Sequence, residues 1–155
     1  MANNVFTIDD GTRELTITNT YGQEIGKIHV RTGDIGIIDR FNEFVNRFDK
    51  IIEPLSNVSM NSDGTSSFES DWEIIKGVAQ KLIDELNAIF DTNDIGLLFS
   101  TRNAFSTING VFYVEKVIEM LGNVVSLAIA DEAKQTQKRV SKYTKDIHRQ
   151  ESQPK

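Results

Sequence analysis

The sequence predicts an α+β fold, with a small N-terminal antiparallel β-meander packed on a bundle of about three main helices and a long C-terminal helix. Three observations carry that expectation. Short β-branched runs separated by turn residues occupy the first thirty positions, and two apolar stripes at helical spacing follow. The last third then begins as a strongly apolar helix and continues as a basic, mostly polar one.

The strands come first. Val5-Phe6-Thr7-Ile8 leads into Asp9-Asp10-Gly11-Thr12, a turn signal whose glycine can take positive φ. Leu15-Thr16-Ile17-Thr18 alternates apolar and polar, Asn19-Thr20-Tyr21-Gly22 is a second turn, and Ile25, Ile28 and Val30 mark a third strand. A small sheet of this kind is marginal alone, so its apolar face must lie on another element.

That element is expected to be helical. Thr32-Gly33-Asp34 supplies an N-cap, and Ile38, Phe41, Val45, Phe48, Ile52 and Leu55 then recur at spacings of 3 and 4, with Pro54 at the exit. The stripe reads as a core-facing helix, with a coiled-coil seam as the alternative. Residues 56–69, rich in serine, asparagine, aspartate and glycine, read as a mobile loop. A second helix opens near Ser70-Asp71, carries Ile75, Val78, Leu82, Leu86 and Ile89, and stops at Asp91-Thr92-Asn93-Asp94. Ile95 to Phe99 is a short helical turn and Ser100 to Gly110 an irregular connection. The third helix runs from about Val111 to the mid-140s. Beyond Ala133 its apolar residues thin to Val140, Tyr143 and Ile147, so it changes from core element to projecting arm. The chain therefore divides into one α+β domain over 1–149 (β-meander 1–31, helical part 34–149) and a disordered tail at 150–155.

Composition narrows the chemistry. With no cysteine among 155 residues, disulfides, thiolate metal sites and cysteine nucleophiles are excluded. The first residues lack the basic and apolar regions of a secretory signal, and no apolar run approaches the ~20 residues of a membrane span. The net charge of −6 is unevenly distributed. Of 17 basic and 23 acidic residues, seven and two lie in residues 134–155, a net of +5, leaving 10 and 21, or −11, in residues 1–133. An acidic body with only Tyr143 as an aromatic in its basic arm weighs against nucleic-acid binding.

No catalytic constellation emerges. His29 and His148 are far apart and read as surface histidines. The acid pairs Asp9-Asp10, Glu69/Asp71, Asp84-Glu85 and Asp131-Glu132 fit turns or helix surfaces rather than a metal motif. Gly33 to Gly36 lacks the length and lysine of a phosphate loop, Gly22 to Gly26 lacks dinucleotide spacing, and no serine has a nucleophile-elbow context. The expectation is a non-enzyme, with no cofactor and no metal, that works by holding another protein. Two sets of residues are candidates for partner contact. Phe99, Phe105, Phe112 and Tyr113 cluster at the 99–113 connection, either packed against the helices or forming an apolar docking patch if exposed. Lys138, Arg139, Lys142 and Tyr143 mark the arm.

Several segments share a pattern with a known family. Tyr21-Gly22, Ile25-Gly26 and the run Asp34-Ile35-Gly36-Ile37-Ile38-Asp39-Arg40-Phe41-Asn42-Glu43 resemble the opening of small proteins encoded in tail-gene clusters of phages and prophages of Gram-positive bacteria. Phe105, Gly110-Val111-Phe112-Tyr113-Val114-Glu115-Lys116 and Lys138-Arg139-Val140-Ser141-Lys142-Tyr143-Thr144 resemble the same proteins. The resemblance implies a tail assembly chaperone in the host bacterial cytoplasm. It would coat the helical tape measure protein, help bring tail tube subunits to it, and be absent from the finished virion. The stripes at 38–55 and 75–89 could supply grooves for a helical partner or allow a homo-oligomer. The alternatives are a structural tail or head–tail protein retained in the virion, and a small nucleic-acid-binding regulator using the basic arm.

Overall fold

The computed structural model describes residues 3–31, 33–57 and 68–152, with side chains to Val140 apart from 57 and 68–70. The chain is α+β, as the sequence predicts. Strands β1 (Thr12–Thr18) and β2 (Glu24–Arg31) form an antiparallel hairpin in which Leu15 faces Ile28 and Arg13 faces Val30. The connection is built by Asn19, whose side-chain oxygen accepts from the Tyr21 and Gln23 amides at 2.9 and 3.0 Å. Gly22 supplies the positive φ of 82° that the tight reversal needs.

The sheet has two strands at this end, not three. Val5–Ile8 remains an extended segment outside it. The turn expected to fold that run back is instead fixed by its own aspartates. Asp9 accepts from the Gly11 amide and Asp10 from the Thr12 amide, both at 3.0 Å.

Helix α1 spans Ile37–Ile51 and continues into a 3-10 turn, Glu53–Asn57, that contains Pro54. Its N-cap is Gly36; Thr32 lies outside the described residues. The buried stripe is Ile37, Phe41, Phe44 and Ile51, with Phe48 half-buried, while Val45 is 44% exposed. Of the expected stripe, Phe41 is buried and Ile38, Phe48, Ile52 and Leu55 pack partly buried against the core, so the core-facing face is as expected except at Val45. There the helix buries Phe44 instead, whose larger side chain removes more apolar area from water than a valine would.

Helix α2 spans Phe68–Phe90 and buries Val78, Leu82, Leu86, Ile89 and Phe90. Of the predicted loop at 56–69, residues 58–67 lie outside the described residues, Ser56 and Asn57 belong to the 3-10 turn, and Phe68 opens α2. A second 3-10 turn, Ile95–Phe99, buries Ile95 and Leu98 and sits against β2, where Leu97 and Leu98 lie over Gly26. The connection expected to be irregular contains a minimal hairpin, β3 (Thr107–Ile108) and β4 (Val111–Phe112). Asn109 and Gly110 both take positive φ, 54° and 82°, at its turn.

Helix α3 spans Tyr113–Ser152, so it continues past the mid-140s and through the first part of the expected disordered tail; 153–155 lie outside the described residues. Glu115 reaches back to accept from the Phe112 amide at 2.9 Å, half of a capping box at the helix start. Val114, Val117, Leu121 and Val125 face the core, and Gly122 brings α3 close to α1, since a Cβ there would lie 3.3 Å from the Phe41 ring. From Asp131 to Val140 every side chain is exposed. The change from core helix to arm thus falls where the apolar residues thin out. Among the described residues, the core contains no buried polar or charged residue.

Candidate functional site

Where α3 leaves the core, its side faces the short link between β2 and α1. Gly33 and Ile35 of the link, together with Ile129, Ala133, Thr136 and Val140 of α3, line an apolar groove of about 540 Å³ bordered by Glu132 and Gln137. Spacings of 4, 3 and 4 along α3 put these four residues on one helical face. Ile35 is 82% exposed, so the link presents an aliphatic side chain to water instead of burying it.

The link is held by a charged cluster. Asp34 Oδ2 accepts from Arg31 Nη2 at 3.0 Å and from Arg40 Nη2 at 2.8 Å, while its Oδ1 accepts from the Gly36 amide at 3.0 Å. Arg40 also donates to the Ile89 carbonyl at 3.1 Å, tying the cluster to the end of α2. Two guanidiniums and a backbone amide favour the ionised carboxylate and lower the Asp34 pKa to about 2. Ile35, between two residues fixed in this way, has little freedom to turn inward.

The sequence candidates fall elsewhere and do not form one site. Tyr113 is buried, its hydroxyl donating to the Leu98 carbonyl at 2.8 Å and its ring edge-on to Phe99 at 5.4 Å. Phe105 and Phe112 form a second edge-on pair at 5.2 Å, and Phe99, Phe105 and Phe112 are half-buried. These rings pack on one another around the β3–β4 hairpin, so the alternative of packing against the fold accounts for most of their surface. Lys138 and Arg139 are exposed on the arm, roughly 38 Å along the helix axis from Tyr113 at the ordinary helical rise. Lys142 and Tyr143 lie on α3, with side chains outside the described residues. Sequence reasoning misses Ile35 and the Ile129–Thr136 face as contact residues. The signal is present in the 3 and 4 spacing that runs upstream from Val140.

His29 is exposed on the outer face of the hairpin. Its Nδ1 meets Asp94 and its Nε2 meets Glu14, each at 3.0 Å, and its pKa is raised, first by the hydrogen bond to Asp94 and then by that to Glu14. The arrangement pins β2 to the segment before the second 3-10 turn. The described residues contain neither a group of three His, Cys, Asp or Glu able to hold a metal ion nor a helix long and apolar enough to cross a membrane.

Comparison with family models, curated proteins and solved structures finds no match to this chain. What fold and groove define is an α+β body rich in acidic residues, from which one helix projects carrying an apolar face bordered by Glu132 and Gln137 and basic residues on its other faces.

Proposed function

We propose that this chain is a non-enzymatic holding protein that takes an amphipathic helix of its partner against the groove at the base of the arm. The observation that carries the reading is the groove itself, an aliphatic face at helical spacing left uncovered opposite an exposed Ile35. Such a surface gains free energy by accepting the apolar stripe of another helix, and the net positive charge of residues 134–155, with Lys134, Lys138 and Arg139 on the other faces of the arm, favours an acidic partner. The family resemblance supplies the partner. On that reading the chain is a tail assembly chaperone in the host bacterial cytoplasm, binding the tape measure protein and helping recruit tail tube subunits.

Co-expression of a helical tape measure protein with this chain tests the proposal. The partner should become soluble and co-elute with the wild-type chain. Ile35→Asp and Val140→Asp should each weaken the complex by about tenfold or more, the equivalent of losing ~1.5–3 kcal/mol of aliphatic burial, without loss of folding. A partner no more soluble with the chain than without it would falsify the chaperone reading. Recovery of the chain from purified particles at tail-protein stoichiometry would favour the structural alternative.

A further inference from the structure

Val5, Phe6 and Ile8 are 84%, 90% and 86% exposed in an extended segment directly before β1. A Val-Phe-Thr-Ile run has strand-forming composition, and three neighbouring apolar side chains in water form an unusual patch. The run does not return along its own sheet. Thr12's amide, which would close a hairpin onto Ile8, is already bonded to Asp10 Oδ1.

The same chain carries an open sheet edge that lacks such a strand. His29's amide points away from β1, to Asp94 Oδ2 at 2.8 Å. Opposed residues in an antiparallel ladder alternate between pairs that exchange bonds and pairs that face outward. Glu14, opposite His29, and Thr16, opposite Lys27, therefore direct their N–H and C=O out of the free edge of β1. Asp94 and the turn Ile95–Phe99 cover the β2 side, while among the described residues no strand pairs with the β1 side. The apolar face is incomplete at the same place, since Leu15 and Ile17 are half-buried beside fully buried Ile28 and Val30.

We propose that Val5–Ile8 of one copy pairs along the β1 edge of a second copy, reciprocally, so that the protein is a two-fold dimer with a third strand added to each hairpin. The pairing is antiparallel about an axis between Gly11 and Thr12, with Thr7 opposite Thr16. This register uses the outward groups of Thr16 and sets Phe6 beside Ile17 and Ile8 beside Leu15 on the core face. It also sets Asp9 opposite Glu14, and each of these carboxylates already has a partner, Arg13 or His29. A point-group interface of this kind closes on itself and leaves no free strand to propagate.

Sedimentation equilibrium on the full chain should give a dimer in the micromolar range. Phe6→Asp, outside the hairpin, and Thr16→Pro, which removes an outward donor without touching the β1–β2 bonds, should each give a monomer with unchanged circular dichroism. The chain has no cysteine, so a Phe6→Cys chain mixed with an Ile17→Cys chain should form a covalent heterodimer on oxidation. A chain carrying both substitutions should likewise link to a second copy. A monomeric wild type, a dimer that persists in Phe6→Asp, or a disulfide closed within one doubly substituted chain in place of a link between copies would overturn the proposal.

Discussion

Asp34 is the residue at which the end of β2, the start of α1 and the end of α2 meet, through Arg31, the Gly36 amide and Arg40. Its folded pKa of about 2 lies below the ordinary 3.8. The ionised form is therefore favoured by folding, and the associated stability is present above pH ~4 and lost as pH falls through 3.8 toward 2. Thermal melts across that window should show the loss in the wild type. Asp34→Asn should melt lower at neutral pH and lose less on acidification; an identical acid profile in both proteins would show that the cluster is energetically silent. The sequence marks Asp34 only as part of a helix cap. Arg31 and Arg40 are visible three and six positions away, but the Ile89 carbonyl that orients Arg40 comes from a distant segment and leaves no local trace.

Among the elements, α1 shows how far periodicity reaches. Spacings of 3 and 4 identify a helix, but Ile37-Phe41-Phe44-Phe48-Ile51 and Ile38-Phe41-Val45-Phe48-Ile52 satisfy them equally. Both contribute to the core-facing side, and packing against the rest of the fold sets which member goes deepest, Phe44 and not Val45. Phe44→Ala should destabilise the fold by about 3–5 kcal/mol, the usual loss for a fully buried phenylalanine, whereas Val45→Ala should change stability by less than ~1 kcal/mol, as an exposed site would. Urea denaturation distinguishes them, and equal losses would contradict the observed face. The β3–β4 hairpin is legible in retrospect, because Ile108-Asn109-Gly110-Val111 is the Asn-Gly signal for a tight reversal between apolar residues. The Val5–Ile8 run is the opposite case. Its composition is that of a strand, but whether it pairs depends on a neighbouring edge, which composition does not specify.

For the whole molecule, the sequence locates the transition from core to arm because both the apolar density and the sign of the charge change near Ala133. The groove is less legible, since part of its lining comes from a link that periodicity cannot place. Lys138→Glu with Arg139→Glu should leave the melting temperature unchanged, because both side chains lie in the wholly exposed stretch of α3, while weakening capture of an acidic helix. Loss of the cooperative transition would instead make the arm part of the folded core. The arm has one further property. From Asn123 to Ser152 the helix contains neither glycine nor proline, the residues at which helices usually bend. It is therefore a lever without a hinge. On the proposed function, a partner's grip on its outer turns would fix the compass bearing of the acidic body as well as its distance, so copies seated along a helical rod would be indexed in angle, turn by turn.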